Sequence, residues 1–499
     1  FNHVQLDKLD YFISELKKRG VYSNFNLNVG RNYRQGDKVP YYELLGLAKG
    51  ATIFDHRIIQ LQKEYAANLL KHKNAYTGNE YRNEPALAFV EIVNENSLVE
   101  AWFSGRLDGD HNSTKTSTWS GIPKYYADEL TEKYNAWLNR AVSPMQFEEI
   151  KKEAGVIGST LIPRLKSKDF DKASELRFHS EAKFIMYTEN AFYYGMYKYL
   201  KESVNVKQLV AANSDHNHYK SGNALLLSTS KLDFVDGHVY WQHPNYFTDS
   251  VSGKQKFKID NTPMVNEPGW STMAQLSRSA VKGKPFTVSE TNHPYPNKYA
   301  GEGFVTLGAY ALLQDWDGIY FYTLEHDDPK VWKSKRPNYF DILHDPVKMA
   351  GIAAGALMFH RADVKEAQNE VVRNYRNAEI VEGIRKNTGN KPFFTPGFDS
   401  KTPLISKTRI QFNSLEENDF PYYEDEEEIV SDTGELIWKL AEERGFIRIN
   451  TEKTQALIGF SDKIEMTETQ NMSARIENPF VSLVLTSIDG LNIEESKKM

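Results

Sequence analysis

The sequence contains no cysteine, which excludes disulfides, thiolate metal sites and a cysteine nucleophile. It also lacks an excess of positive charge. Its 61 basic and 67 acidic side chains leave a formal net charge of −6, and a protein that tracks a phosphate backbone needs the opposite balance. Nucleic acid is therefore not an expected partner. Long apolar runs are missing as well: the longest, such as Ala350 to Phe359, fall well short of the roughly 18 residues a membrane span requires. No strand-like segment is followed by a G-x-G-x-x-G turn, the phosphate-binding signature of a doubly wound dinucleotide fold. The chain opens on Phe1 and an amphipathic helix pattern instead of the charged and apolar regions of a secretory signal, and it closes on the charged stretch Glu494 to Met499. On that reading it is a mature or trimmed piece of something longer.

What is present is enough for a sizeable core. Of 499 residues 40% are hydrophobic, with 28 Tyr, 27 Phe and 8 Trp, which suits one large domain followed by a smaller one. Leu6, Leu9, Phe12, Ile13 and Leu16 recur at helical spacing before Gly20. A strand pattern, Tyr22 to Val29, follows, and the alternation of strand with helix continues to about Tyr322. The further strands expected are Ala86 to Val93, Lys207 to Ala212, Leu232 to Trp241, Pro285 to Ser289 and Gly318 to Tyr322, all short and apolar. Such alternation predicts parallel strands joined by crossover helices.

The fold class expected is α/β, a (β/α)8 TIM barrel over residues 1–362. A closed barrel of this type needs eight strands, so the first two strand-helix units are expected to lie upstream of Phe1. A long insertion at about 97–203, with helices near Tyr125 to Leu138 and Pro144 to Glu153, is expected to wall the cleft. After Asp363 helices give way to short alternating segments and polar turns, which predicts a β-sandwich over 363–499.

Two strands end in carboxylates. The apolar run Ala86 to Val93 delivers Asn94-Glu95-Asn96, and Pro285 to Ser289 delivers Glu290-Thr291-Asn292-His293. Barrels place their chemistry at that end of a strand. If these are strands four and seven, Glu95 and Glu290 face one pocket, where a separation of about 5 Å permits double displacement at a sugar carbon.

With these residues the chain resembles the clan A glycoside hydrolases, the retaining superfamily that includes cellulase-like and β-galactosidase-like enzymes. The resemblance covers roughly Leu6 to Phe359. It implies that Glu95, preceded by Asn94, is the acid/base and that Glu290 is the nucleophile. It also implies an aromatic residue or histidine near the end of strand six, where His238 and Tyr240 stand in alternating positions; Tyr240 would hydrogen-bond the nucleophile and keep it ionised. The arginine that the clan carries near the end of strand two has no counterpart here. Glu91, four positions before Glu95, is expected to point into the lower barrel. Asn266-Glu267-Pro268 copies a better-known form of the acid/base motif, but it follows a mixed segment between strands six and seven, the wrong context.

Further substrate contacts are expected from Asn26, Asn28 and Arg31 after strand three, from His293, and from Glu325 and His326 after strand eight. Trp102, Trp119, Trp241, Trp270 and Trp332 fall on the face where sugar would stack, whereas Trp316 and Trp137 read as structural. Asp215-His216-Asn217-His218 reads as a solvated loop, since two histidines without a third placed ligand make a weak metal site. The acidic run Glu424 to Glu428 reads the same way. No metal and no cofactor are expected. The function expected is retaining hydrolysis of a β-linked oligo- or polysaccharide, with a carbohydrate as the partner and secretion or a cell-surface address as the setting. A transglycosylase would share every one of these residues. An inactive carbohydrate-binding barrel would have lost Glu95 or Glu290. Oligomeric state is not legible.

Overall fold

The computed structural model describes residues 1–158, 160–325, 338–386, 394–424, 427–461 and 467–499. They form two compact units. The first comprises Phe1–Val235 with Arg376–Gly389, and the second Asp236–Tyr375 with Asn390–Met499.

The first unit is built on a parallel sheet, β1 (Ser23–Asn26), β2 (Leu87–Glu91) and β3 (Leu209–Ala211), in that spatial order. The helix His56–Leu70 connects β1 to β2. Asp55 caps it by accepting from the Ile58 amide at 2.7 Å, and Ile58, Leu61, Ala66 and Leu69 bury one face at helical spacing. Between β2 and β3 lie the helices Leu98–Phe103, Lys124–Ala141, Pro144–Glu153 and Glu175–Lys198. In the last, Glu181 and Glu189 are buried and interrupt the apolar pattern of the helix. A short β4 (Ser214–Asp215) follows β3. Here the solvated-loop expectation is corrected: Asp215 and His218 are buried, and His216 pairs with Glu100 at 3.0 Å.

The second unit takes up β5 (Val235–Tyr240) from Asp236 and contains a hairpin of β6 (Asn245–Thr248) and β7 (Gln255–Lys258), then β8 (Phe286–Asn292) and β9 (Gly318–Phe321). Strands β5, β8 and β9 are neighbours in that order, with β8 and β9 parallel. Each of the six strands expected from the sequence forms. Parallel strands joined by helices fit an α/β barrel. The helix Gly303–Leu313 is buried almost all round, as a crossover helix covered on both sides should be.

Past Asp363 the chain is not helix-free. The helices Asn377–Gly383 and Thr402–Ile405 occur, and β10 (Glu370–Tyr375) pairs with β11 (Lys407–Phe412) in parallel. These helices, of seven and four residues, are too short to print a period on the sequence. An antiparallel sheet then follows, composed of β12 (Glu428–Val430), β13 (Leu436–Ala441), β14 (Arg444–Asn450), β15 (Thr454–Phe460) and, beyond the small ladder β16 (Thr467–Glu468) with β17 (Ser473–Ala474), β18 (Phe480–Thr486). Trp438, Ile447, Ile449, Leu457 and Ile458 are among its buried side chains. Among the described residues this five-stranded sheet is joined by no second sheet of its size. No helix among them is long and apolar enough to cross a membrane.

Candidate active site

The first unit presents Glu95. Beyond β2 the chain stays in ladder contact, with Ile92 and Val93 donating to the carbonyls of Ala211 and Ala212. At Glu95 it then turns into the left-handed region, with φ of 45°. A side chain in that conformation is uncommon and carries strain that the surroundings must hold. They do. Lys49 Nζ donates to the carbonyls of Asn94 (3.1 Å) and Glu95 (3.0 Å). Asn96 accepts from the Gly50 amide at 2.9 Å, donates to Thr52 at 2.5 Å, and receives the Tyr193 hydroxyl on its carbonyl at 2.6 Å. One residue further on, the Glu189 carboxylate takes the Ser97 hydroxyl and the Leu98 amide, both at 2.6 Å.

The same lysine lies 4.1 Å from the centre of the Trp119 ring, which also stacks on His216 at 5.6 Å. Trp119 is 40% exposed, so part of a flat apolar surface stands open near Glu95. Beneath it, burial pushes the Glu100 carboxyl up, but His216 and Arg106 outweigh that and hold it below the ordinary carboxylate range.

The second unit presents Glu290. Its neighbours on β5 are Asp236, His238 and Tyr240, which share a face by the two-residue period of a strand. Asp236 accepts from the hydroxyls of Thr287 (2.5 Å) and Ser289 (2.6 Å). Ser289 therefore accepts from His238 Nε2 at 2.7 Å, which leaves Nδ1 towards Glu290 at 3.8 Å. The Tyr240 hydroxyl donates to Glu290 Oε2 at 2.6 Å. Strict alternation would put Ser289 and Glu290 on opposite faces. The β8–β9 register shifts between Val288 and Thr291, and such a local bulge re-aims a side chain, so both residues reach the β5 triplet.

Other candidates are engaged elsewhere. Asn26 donates to Glu91 at 2.7 Å, which gives the buried Glu91 a structural role. Asn28 donates to Gln62, and Arg31 pairs with Asp37 at 2.6 Å. Trp102 is corrected: it is fully buried between Phe170 and Phe178 and has no face left for a ligand. Trp241 is buried too, with its indole N–H spent on the Thr262 carbonyl. His293 is buried 3.4 Å from Glu302, and Glu325 pairs with His344 at 2.7 Å. Glu267 is exposed beside a turn whose Asn266 accepts from the Gly445 amide at 2.8 Å. His326 and Trp332 lie outside the described residues. No local signal in the sequence marks Lys49, Glu189 or Asn213, the last accepting from the Asn96 amide at 3.1 Å, since their support of the 94–99 segment is set by long-range contacts. Nor were Phe340, whose ring lies 4.4 Å from that of Tyr240, and Tyr322, 5.9 Å from Phe340, among the expected residues. Tyr322 follows β9 directly and is 38% exposed, so an aromatic at a strand end was the available cue.

No family model matches the chain. Mannan endo-1,4-beta-mannosidase 2 of Arabidopsis thaliana is 34% identical over 102 residues, 19% of this chain and 23% of that protein. The match thus spans less than a quarter of the relative's length. Among solved structures, the endo-beta-1,4-mannanase from Thermotoga petrophila aligns with 15% identity over 96% of this chain and 76% of its own, with a TM-score of 0.41. A beta-galactosidase from Rahnella sp. R3 aligns with 12% identity over 76% of this chain and 55% of its own, with a TM-score of 0.45.

Proposed function

We propose that this chain is a β-glycoside hydrolase that cleaves a β-linked oligo- or polysaccharide with retention of configuration, Glu290 acting as nucleophile and Glu95 as acid/base. The observation that carries the reading is the hold on Glu290: a carboxylate near the end of β8, swung by a bulge onto a face with a histidine and a tyrosine and gripped by the tyrosine hydroxyl at 2.6 Å. One oxygen is thereby fixed so that the carboxylate is aimed, and a nucleophile that is already oriented spends less freedom on reaching the reacting atom.

In the first step a Glu290 oxygen bonds to the anomeric carbon while the bond from that carbon to the leaving oxygen breaks, and the Glu95 proton passes to the leaving oxygen. In the second, Glu95 takes a proton from water, the water oxygen bonds to the anomeric carbon, and the Glu290 ester bond breaks. Each carboxyl returns to its starting state. This requires the two groups to flank one glycosidic bond, about 5 Å apart. Strain held at Glu95 by Lys49 and Asn96 supports the assignment, since outliers of this kind concentrate at functional sites. The 102-residue match to a mannan hydrolase makes β-1,4-mannan the first substrate to try. A secreted or cell-surface setting suits such a substrate.

The test is hydrolysis of aryl β-glycosides and β-linked polysaccharides by the wild type, Glu95→Ala and Glu290→Ala, with azide as external nucleophile. Both variants should lose turnover. Azide should rescue Glu95→Ala to a β-glycosyl azide and Glu290→Ala to the α anomer. If the wild type cleaves a substrate and both variants keep its turnover, the assignment is wrong.

A further inference from the structure

We infer that the β6–β7 hairpin is a gripping arm for the distal sugars of a neutral β-linked polysaccharide, joined to Glu290 by a continuous series of aromatic rings. The inference rests on the reading of Glu290 given above. Tyr240, which holds Glu290, lies against Phe340 with ring centres 4.4 Å apart. Phe340 meets Tyr339 at 4.9 Å, and Tyr339 meets Tyr246 at 5.7 Å and Phe257 at 5.0 Å. Tyr246 and Phe257 are directly opposite each other in the hairpin register, so one cross-strand pair docks the ribbon on Tyr339.

That docking leaves the ribbon open. Every residue of β6 is exposed, and in β7 only Phe257 is partly covered. A two-stranded ribbon is marginal alone, so exposed aromatics on it are not explained by its own stability. Tyr246 is 47% exposed, and Phe247, on the other face by strand alternation, is 45% exposed. Neither strand carries an acidic residue; amides and lysines interleave the rings. Flat apolar rings among hydrogen-bond donors suit the alternating apolar faces and hydroxyl edges of a sugar chain. Continuity with Tyr240 and Glu290 is what selects this occupant over a protein partner.

The test uses the full chain carrying Glu290→Ala, so that the probe is not consumed, in affinity electrophoresis through gels containing soluble galactomannan or mixed-linkage β-glucan. At least one polysaccharide should retard it. Phe247→Ala and Tyr246→Ala, added singly, should each weaken that binding roughly three- to tenfold, the loss expected for one stacked ring, with the melting temperature unchanged. Phe247 makes no ring contact with Tyr339, so its variant answers even if Tyr246→Ala disturbs the hairpin. Absence of retardation, or retardation unchanged in both variants, overturns the inference. Aryl β-glycoside hydrolysis by the wild type is read separately. Binding that depends on the hairpin without any hydrolysis sinks the glycosidase reading alone, and hydrolysis with hairpin-independent binding sinks the arm alone.

Discussion

At the scale of single residues, the Tyr240 hydroxyl is the most direct lever on Glu290. Tyr240→Phe removes one charge-assisted hydrogen bond, worth about 1.5–3 kcal/mol, and keeps the ring that packs on Phe340. We expect kcat on an activated aryl β-glycoside to fall roughly 10- to 100-fold with KM little changed. Unchanged kcat would remove Tyr240 from the reaction. Glu290, His238 and Tyr240 were legible in the sequence because a strand's period and its end are local properties. The reason Glu290 joins the His238 face was not legible, since it depends on a register shift against β9. Lys49 shows the same limit: it braces the Glu95 backbone from 46 residues away, and nothing in its neighbourhood marks it.

At the scale of elements, the helix Glu175–Lys198 couples the brace behind Glu95 to pH. Glu189 is fully buried and accepts from Ser97, Leu98 and Val99. Burial pushes its carboxyl up to about 7 against those donors, and does the same to Glu181 on the same helix. The folded chain therefore holds protons here that the unfolded chain has released above its ordinary carboxylate range. The native state binds more protons between about pH 4.5 and 7, so stability falls as pH rises through that window and levels off above it. The contribution is at most on the order of 3 kcal/mol for each group. Glu189→Gln keeps the shape and removes the titration; the urea midpoint of the variant should lose roughly half the decline that the wild type shows between pH 5 and 8. Identical declines in the two proteins would refute the coupling. These inward acids also hide the helix from the sequence: a helix with buried carboxylates contradicts its own hydrophobic stripe, whereas short apolar strand segments are recognised without tertiary context.

At the scale of the molecule, the second compact unit runs across the change of texture at Asp363, holding β5, β8 and β9 together with the antiparallel sheet. The turn at Met264 to Pro268 is where they meet. Glu302 accepts from the Met264 and Val265 amides at 2.6 and 3.0 Å. From the sheet, the Trp438 indole donates to the Val265 carbonyl at 2.8 Å, and the Gly445 amide donates to Asn266. The motif that copied an acid/base signature is thus a docking turn, which the sequence could not distinguish from a catalytic one except by its context. Gly445 makes the approach possible, because a Cβ there would stand 1.6 Å from the Val265 carbonyl oxygen. Gly459 on the adjacent strand, at φ +127°, offers no relief, since a Cβ there would lie 2.4 Å from the Gly445 carbonyl oxygen. Neither backbone can retreat cheaply. Gly445→Ala should cost at least about 3 kcal/mol, seen as a melting temperature lower by roughly 6 °C or more, or as insoluble chain. Glu267→Gln, exposed on the same turn, should leave both melting temperature and turnover at wild-type values. A tolerated Gly445→Ala would mean that the sheet is not seated on this turn, and a Glu267→Gln variant without turnover would return the acid/base role to Glu267.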